Sequence, residues 1–100
     1  MPAILTLTAD DLTLVRRCFA AGEPEPETAA ILHFGAQATA EAAAALASAE
    51  PDMPFALSAA ARKALRYTVG VGAIVLSDGI SDADASRAMR LVGAHPGGFV

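Results

Sequence analysis

Residues 68–76 read TVGVGAIVL, a run with no charged side chain and one hydroxyl. As a helix, this run is apolar on every side and has to be buried all round. Gly70 and Gly72 then mark points where another backbone comes close. As a strand, Thr68, Val69, Val71, Ile74 and Val75 favour extended structure, and ILTLT at residues 4–8 alternates like a mate for it. The choice decides the fold class. A stable sheet needs three or more strands, and no other stretch of the chain reads convincingly as one, so a helix is the expected state. The two glycines cost about 1 kcal/mol each relative to alanine, and a close tertiary contact must offset that.

Working upstream, Ser58-Ala-Ala-Ala61 supplies a cap for this helix, and Arg62, Lys63, Arg66 and Tyr67 occupy its early turns. Downstream, Ser77-Asp-Gly79 closes it, and Ser81-Asp-Ala-Asp84 has the form of a capping box that opens the next helix. There Ala85, Ala88, Met89 and Val92 line one side, Arg87 and Arg90 the other, before Gly93 and Pro96 end the element. The tail, HPGGFV, has no periodicity.

Toward the N-terminus, Thr8-Ala-Asp-Asp11 is another capping box, followed by a helix over 9–21. Its buried face combines Leu12, Val15 and Phe19 with Leu14 and Cys18, while Arg16 and Arg17 take the polar side and Gly22 stops the run. Residues 23–27, EPEPE, form a stiff, exposed acidic connector. A second helix is expected over 27–49, ended by the prolines of Glu50-Pro-Asp-Met-Pro54, which reads as a hinge. On that helix Ile31, Gly35, Ala38, Ala42, Ala45 and Ala49 form a stripe with almost no side-chain bulk. Burying it requires a partner helix near the short end of the usual ~8–10 Å separation. Gly70 and Gly72 of the third helix are the expected internal mate, with a second copy of the chain as the alternative. The expected architecture is one all-α domain over residues 1–100, a compact bundle of about four helices with short capped turns.

Composition narrows the function. The chain is 54% hydrophobic and 18% charged, which excludes wholesale disorder, although much of the apolar excess is alanine. A net charge of −4 argues against a general nucleic-acid binder. The first fifty residues carry Arg16 and Arg17 against seven carboxylates, whereas the second half is close to balanced. A membrane-spanning helix needs about 20 apolar residues. Residues 67–76 are half that length, and His33, Gln37 and Glu41 interrupt residues 29–49. The opening MPAILTLTADD has no basic residue ahead of an apolar stretch, so a cytoplasmic protein is expected. The single cysteine, Cys18, allows no internal disulfide.

No catalytic, cofactor or metal residues are expected. Aligning Gly79 with the sixth position of a calcium loop puts Ile74, Leu76 and Ala85 at the first, third and twelfth positions, where oxygen ligands belong. The same string, LSDGISDAD at 76–84, resembles the inter-helix turn of TerB-like tellurite-resistance domains over barely ten residues, without that turn's glutamate. It also reads as two helix caps back to back, and no function follows from it. His33 and His95 are isolated, and Cys18 reads as a small buried hydrophobe. There is no nucleophile elbow, no phosphate-binding glycine loop and no Asp-Ser-Leu attachment site for a carrier arm.

The residues that suit contact with a partner are Arg62, Lys63 and Arg66 beside Tyr67, and the acidic connector Glu23, Glu25 and Glu27. The basic cluster fits a phosphate or an acidic protein surface. It also reads as a solvated helix face, or as an internal mate for the connector. The expected function is a small non-catalytic protein–protein interaction module: an adaptor, assembly factor or inhibitor of a larger bacterial or phage complex. Its partner would be another protein, a second copy of the chain included, with nucleic acid and membrane disfavoured. The alternative is a helix-turn-helix regulator around residues 77–82 with Arg87 and Arg90 on the reading helix. Asp82 and Asp84 at the start of that helix would face phosphates and count against it.

Overall fold

The run TVGVGAIVL is helical through Val75, the last residue of helix α3, Ala59–Val75. The computed structural model describes residues 3–24, 30–76 and 78–93. Their order is strand β1 (Ala3–Leu5), helix α1 (Ala9–Gly22), helix α2 (Ala30–Ser48), strand β2 (Phe55–Leu57), α3 and helix α4 (Asp82–Leu91). The architecture is the expected small all-α bundle, with α3 in the middle and α1, α2 and α4 packed around it. Glu25, Glu27, Ile31 and His33 as side chains, and the tail from residue 94, lie outside what is described.

The capping chemistry acts as the residue types dictate. Thr8, Ser58 and Ser81 are extended at the starts of α1, α3 and α4, and each side-chain oxygen accepts from the amide three residues on: Asp11, Ala61 and Asp84. The helices present the expected faces. Leu12, Leu14, Val15, Cys18 and Phe19 of α1 meet Ala61, Ala64, Leu65, Val69 and Ala73 of α3 in one core, closed by Ala88 and Val92 at α4. Burial of α3 is not uniform to its end, however. Ile74 is 63% and Val75 47% exposed, whereas Gly72 and Ala73 of the same turn are buried, so the core covers this end of α3 on one side only.

Among the described residues, Gly72 makes its close backbone approach to α1 rather than to the alanine stripe. A Cβ at Gly72 would stand 1.6 Å from the Cys18 carbonyl oxygen, and one at Gly22 would stand 2.1 Å from that of Thr68. Two glycines, one on each helix, let the backbones touch and so offset the loss of helix propensity. The α2 stripe does face the core at Ala38, Ala42 and Ala49, where α2 packs on α3, but Leu46 joins it with real bulk. Gly35 does not belong to it. With φ 86° and ψ 162° it breaks α2 into two pieces, and it is exposed. That backbone state is essentially open to glycine alone.

Two short strands depart from the all-helical reading. Residues 4 and 5 do extend, but they pair antiparallel with Phe55–Leu57 rather than with residues 68–76, in the register Ala3 with Leu57, Ile4 with Ala56 and Leu5 with Phe55. Leu57 is buried beneath this ribbon. The loop before it is also less free than a hinge. The amide of Asp52, itself at φ 63°, donates to Leu7 O at 2.7 Å and that of Met53 to Glu50 O at 3.3 Å.

Candidate functional site

All seven lysines and arginines fall within the described residues, and they divide into two groups. Three are tied into the fold. Arg16 of α1 donates from Nε and Nη2 to Leu46 O at 3.1 and 3.0 Å and from Nη2 to Ala49 O at 2.7 Å, closing the C-terminal turn of α2. Arg17 donates from Nη2 to Gly79 O at 3.2 Å, holding the α3–α4 turn against α1. Arg87 lies 3.6 Å from Asp11 and 3.6 Å from Asp84, bridging α4 to the start of α1.

The other four, Arg62, Lys63, Arg66 and Arg90, make no ion pair or side-chain hydrogen bond among the described residues; three lie in the N-terminal half of α3 and Arg90 in the last turn of α4. Arg62 joins the two: its Nη2 would lie 2.8 Å from a Cβ on Gly93, and the Gly93 amide donates to Arg90 O at 3.1 Å. A guanidinium at a helix C-terminus is favoured by the helix dipole, so Arg62 serves the fold as well as the surface. Lys63 and Arg90 are exposed, and Arg66 is half-buried. The ring of Tyr67 packs edge-on to Phe34 of α2, with centroids 5.6 Å apart and planes at 68°, so it joins α3 to α2.

The acidic half of the expected contact surface is not brought to this cluster. Glu23 is exposed beyond the end of α1, on a groove of about 300 Å³ between α1 and α2 that Phe19, Ala43 and Leu46 line. No ion pair joins it to Arg62, Lys63 or Arg66. Glu25 and Glu27 lie outside the described residues. The role of Arg16 and Arg17 as tethers, rather than as an idle polar face, carried no sequence signal, because their acceptors are main-chain carbonyls far along the chain.

Each capped helix start already carries acid. Asp10 and Asp11 occupy the first turn of α1, and Asp82 and Asp84 that of α4. At α3 the carboxylate of Glu41 accepts from the Ser58 amide at 2.8 Å and its hydroxyl at 3.0 Å. Anions therefore meet like charge at all three of these termini. Glu41 and Ser58 also border a groove of about 370 Å³ with Phe34 and Ala38. Cys18 is fully buried, and burial pushes its thiol above the ordinary value, with Arg17 opposing this and Asp84 adding to it. A thiol held protonated and out of solvent is a poor nucleophile. The Thr68 hydroxyl is buried and has no hydrogen-bond partner among the described residues.

No protein-family model, curated protein or solved structure matches the chain. The site therefore has to be read from its own chemistry. Among the described residues no group of three His, Cys, Asp or Glu side chains could hold a metal ion, and no helix is long and apolar enough to cross a membrane. What the geometry offers is a set of cations on two packed helices, α3 and α4, with no side-chain bonds among the described residues.

Proposed function

We propose that the protein is a small non-catalytic interaction module, of the kind an adaptor, assembly factor or inhibitor contributes to a larger complex, and that it engages another protein through the first turns of α3. The observation that carries this reading is the division of its cations. Three make internal hydrogen bonds or ion pairs, while Arg62, Lys63, Arg66 and Arg90 make none among the described residues, Arg62 lying beside Gly93 and Lys63 and Arg90 being exposed. The helix-turn-helix alternative loses support from the same division, since Arg87 is engaged with Asp11 and Asp84 and only Arg90 remains on α4. Placing a photoreactive benzoylphenylalanine at Lys63, and separately at exposed Thr13, in cells of the source tests the proposal. A discrete protein adduct from position 63 and none from position 13 is expected. Adducts to nucleic acid, or no adduct from position 63, would overturn it.

A further inference from the structure

We infer that Arg62, Lys63, Arg66 and Arg90 form one continuous cationic surface that receives an acidic helical segment of a protein partner, its carboxylates spaced one turn apart. This rests on the interaction reading above and names the chemistry of the partner. Arg90 is 24 to 28 positions from the α3 cluster, and the fold brings its turn close: Arg62 lies beside Gly93, whose amide bonds the Arg90 carbonyl. Arg62 and Arg66 lie four residues apart on one face of α3, so their charges repeat at about the 5.4 Å pitch of a helix. A partner helix with carboxylates at the same interval matches that repeat, and guanidinium–carboxylate pairing favours arginine at such sites.

The surroundings limit how long the occupant can be. Asp82 and Asp84 begin α4, so Asp82 lies about 12 Å along the helix axis from Arg90 at 1.5 Å per residue. A short acidic segment stays on the cationic end, whereas an extended polyanion such as duplex DNA would run onto these carboxylates. Among the described residues the aromatic ring beside the cluster, Tyr67, is packed edge-on to Phe34 rather than laid open for an unstacked base.

The test is an amide-resolved NMR titration of the full chain at low and physiological salt with three probes: an acetylated, amidated peptide of four Glu-Ala-Ala-Ala repeats, oligothymidylate, and phosphatidylglycerol vesicles. The peptide is expected to shift amides of residues 62–66 and 90–93, with the effect fading as salt rises. In the K63E/R66E double variant, whose helical circular dichroism should be unchanged, the peptide should bind about tenfold more weakly, as the loss of two exposed charge pairs implies. R90E alone should weaken it less, and this variant leaves α3 untouched. No shift at low salt, shifts elsewhere on the chain, or an unaltered affinity in K63E/R66E would overturn the inference. Engagement of the same amides by oligothymidylate or vesicles at lower concentration than by the peptide would also overturn it. Failure here leaves the crosslinking result at Lys63 free to stand or fall separately.

Discussion

The Arg16 guanidinium donates to Ala49 O at 2.7 Å, so a side chain of the first helix satisfies main-chain carbonyls at the end of the second. Helix α2 ends at Ser48 with neither a glycine at its C-terminus nor a basic residue in its last turn. Its orphan carbonyls would otherwise depend on water. Arg16 supplies the donors and places positive charge at the negative end of the α2 dipole.

Replacing Arg16 with alanine is expected to cost about 1 kcal/mol, near the low end for hydrogen bonds from a charged donor because the side chain is exposed. For a domain of this size that corresponds to a fall in Tm of roughly 4–8 °C. Arg16→Lys should recover only part of it, since a single ammonium cannot reproduce the fork. Thermal unfolding of both variants is the measurement, and an unchanged Tm for Arg16→Ala would show that the clamp contributes nothing.

At the α1–α3 contact, Gly72→Ala and Gly22→Ala should each be severely destabilising, by more than the ~1–3 kcal/mol typical of an overpacked core. The added carbon would meet main-chain atoms, which cannot rotate away. Ala42→Leu, on the buried α2 stripe, should fall within that ordinary range. Gly79→Ala is the control, because its new carbon would meet only the flexible Arg17 side chain at 3.4 Å and Leu76 O at 3.6 Å. Urea denaturation ranks the four, and a Gly72→Ala protein as stable as Gly79→Ala would contradict the geometry.

Glu41 and Ser58 should be energetically coupled. Ser58→Ala removes a helix cap, typically worth about 1 kcal/mol, and also a donor to Glu41. Glu41→Ala removes the acceptor for the Ser58 amide. In a double-mutant cycle the combined loss should be smaller than the sum of the two single losses. Strict additivity would mean that the two residues act independently.

Cys18 should resist alkylation in the native protein and react only when the chain unfolds. Burial raises its folded pKa above the ordinary thiol value of 9.0, so in the interval between the two values the folded state holds a proton that the unfolded state has lost. Stability linked to this group is therefore complete below pH ~9 and declines as pH rises toward the folded value. Iodoacetamide labelling across a urea series should track global unfolding, and rapid labelling without urea would refute the burial. In Cys18→Ala the alkaline decline should become shallower.

Much of the fold was legible in local chemistry. Thr8, Ser58 and Ser81 announced three helix starts because a cap bonds an amide only three residues away. The α1 core face followed from helical spacing alone. Residues 55–57 were missed as a strand because Phe-Ala-Leu is too short to show a period, and its pairing with residues 3–5 is a long-range event. Of the candidate site, Arg62, Lys63 and Arg66 were visible as neighbours on one helix, whereas the approach of Arg62 to Gly93, three residues past Arg90, is a product of the fold.

The chain by itself determined where its helices start and stop and which of their faces are apolar, because caps, prolines and periodic side chains act within a turn or two. Which small-residue surface meets which was decided by the tertiary structure. Ala42, Gly22, Gly70 and Gly72 offer similarly bare surfaces to a passing helix, and nothing local distinguishes them. Packing the whole core around α3 pressed Gly22 and Gly72 into the α1–α3 crossing and left α2 to fill its side with Leu46. The same packing engaged Arg16, Arg17 and Arg87 in internal contacts and left Arg62, Lys63, Arg66 and Arg90 without such bonds among the described residues, a division that no reading of their charge in sequence could make.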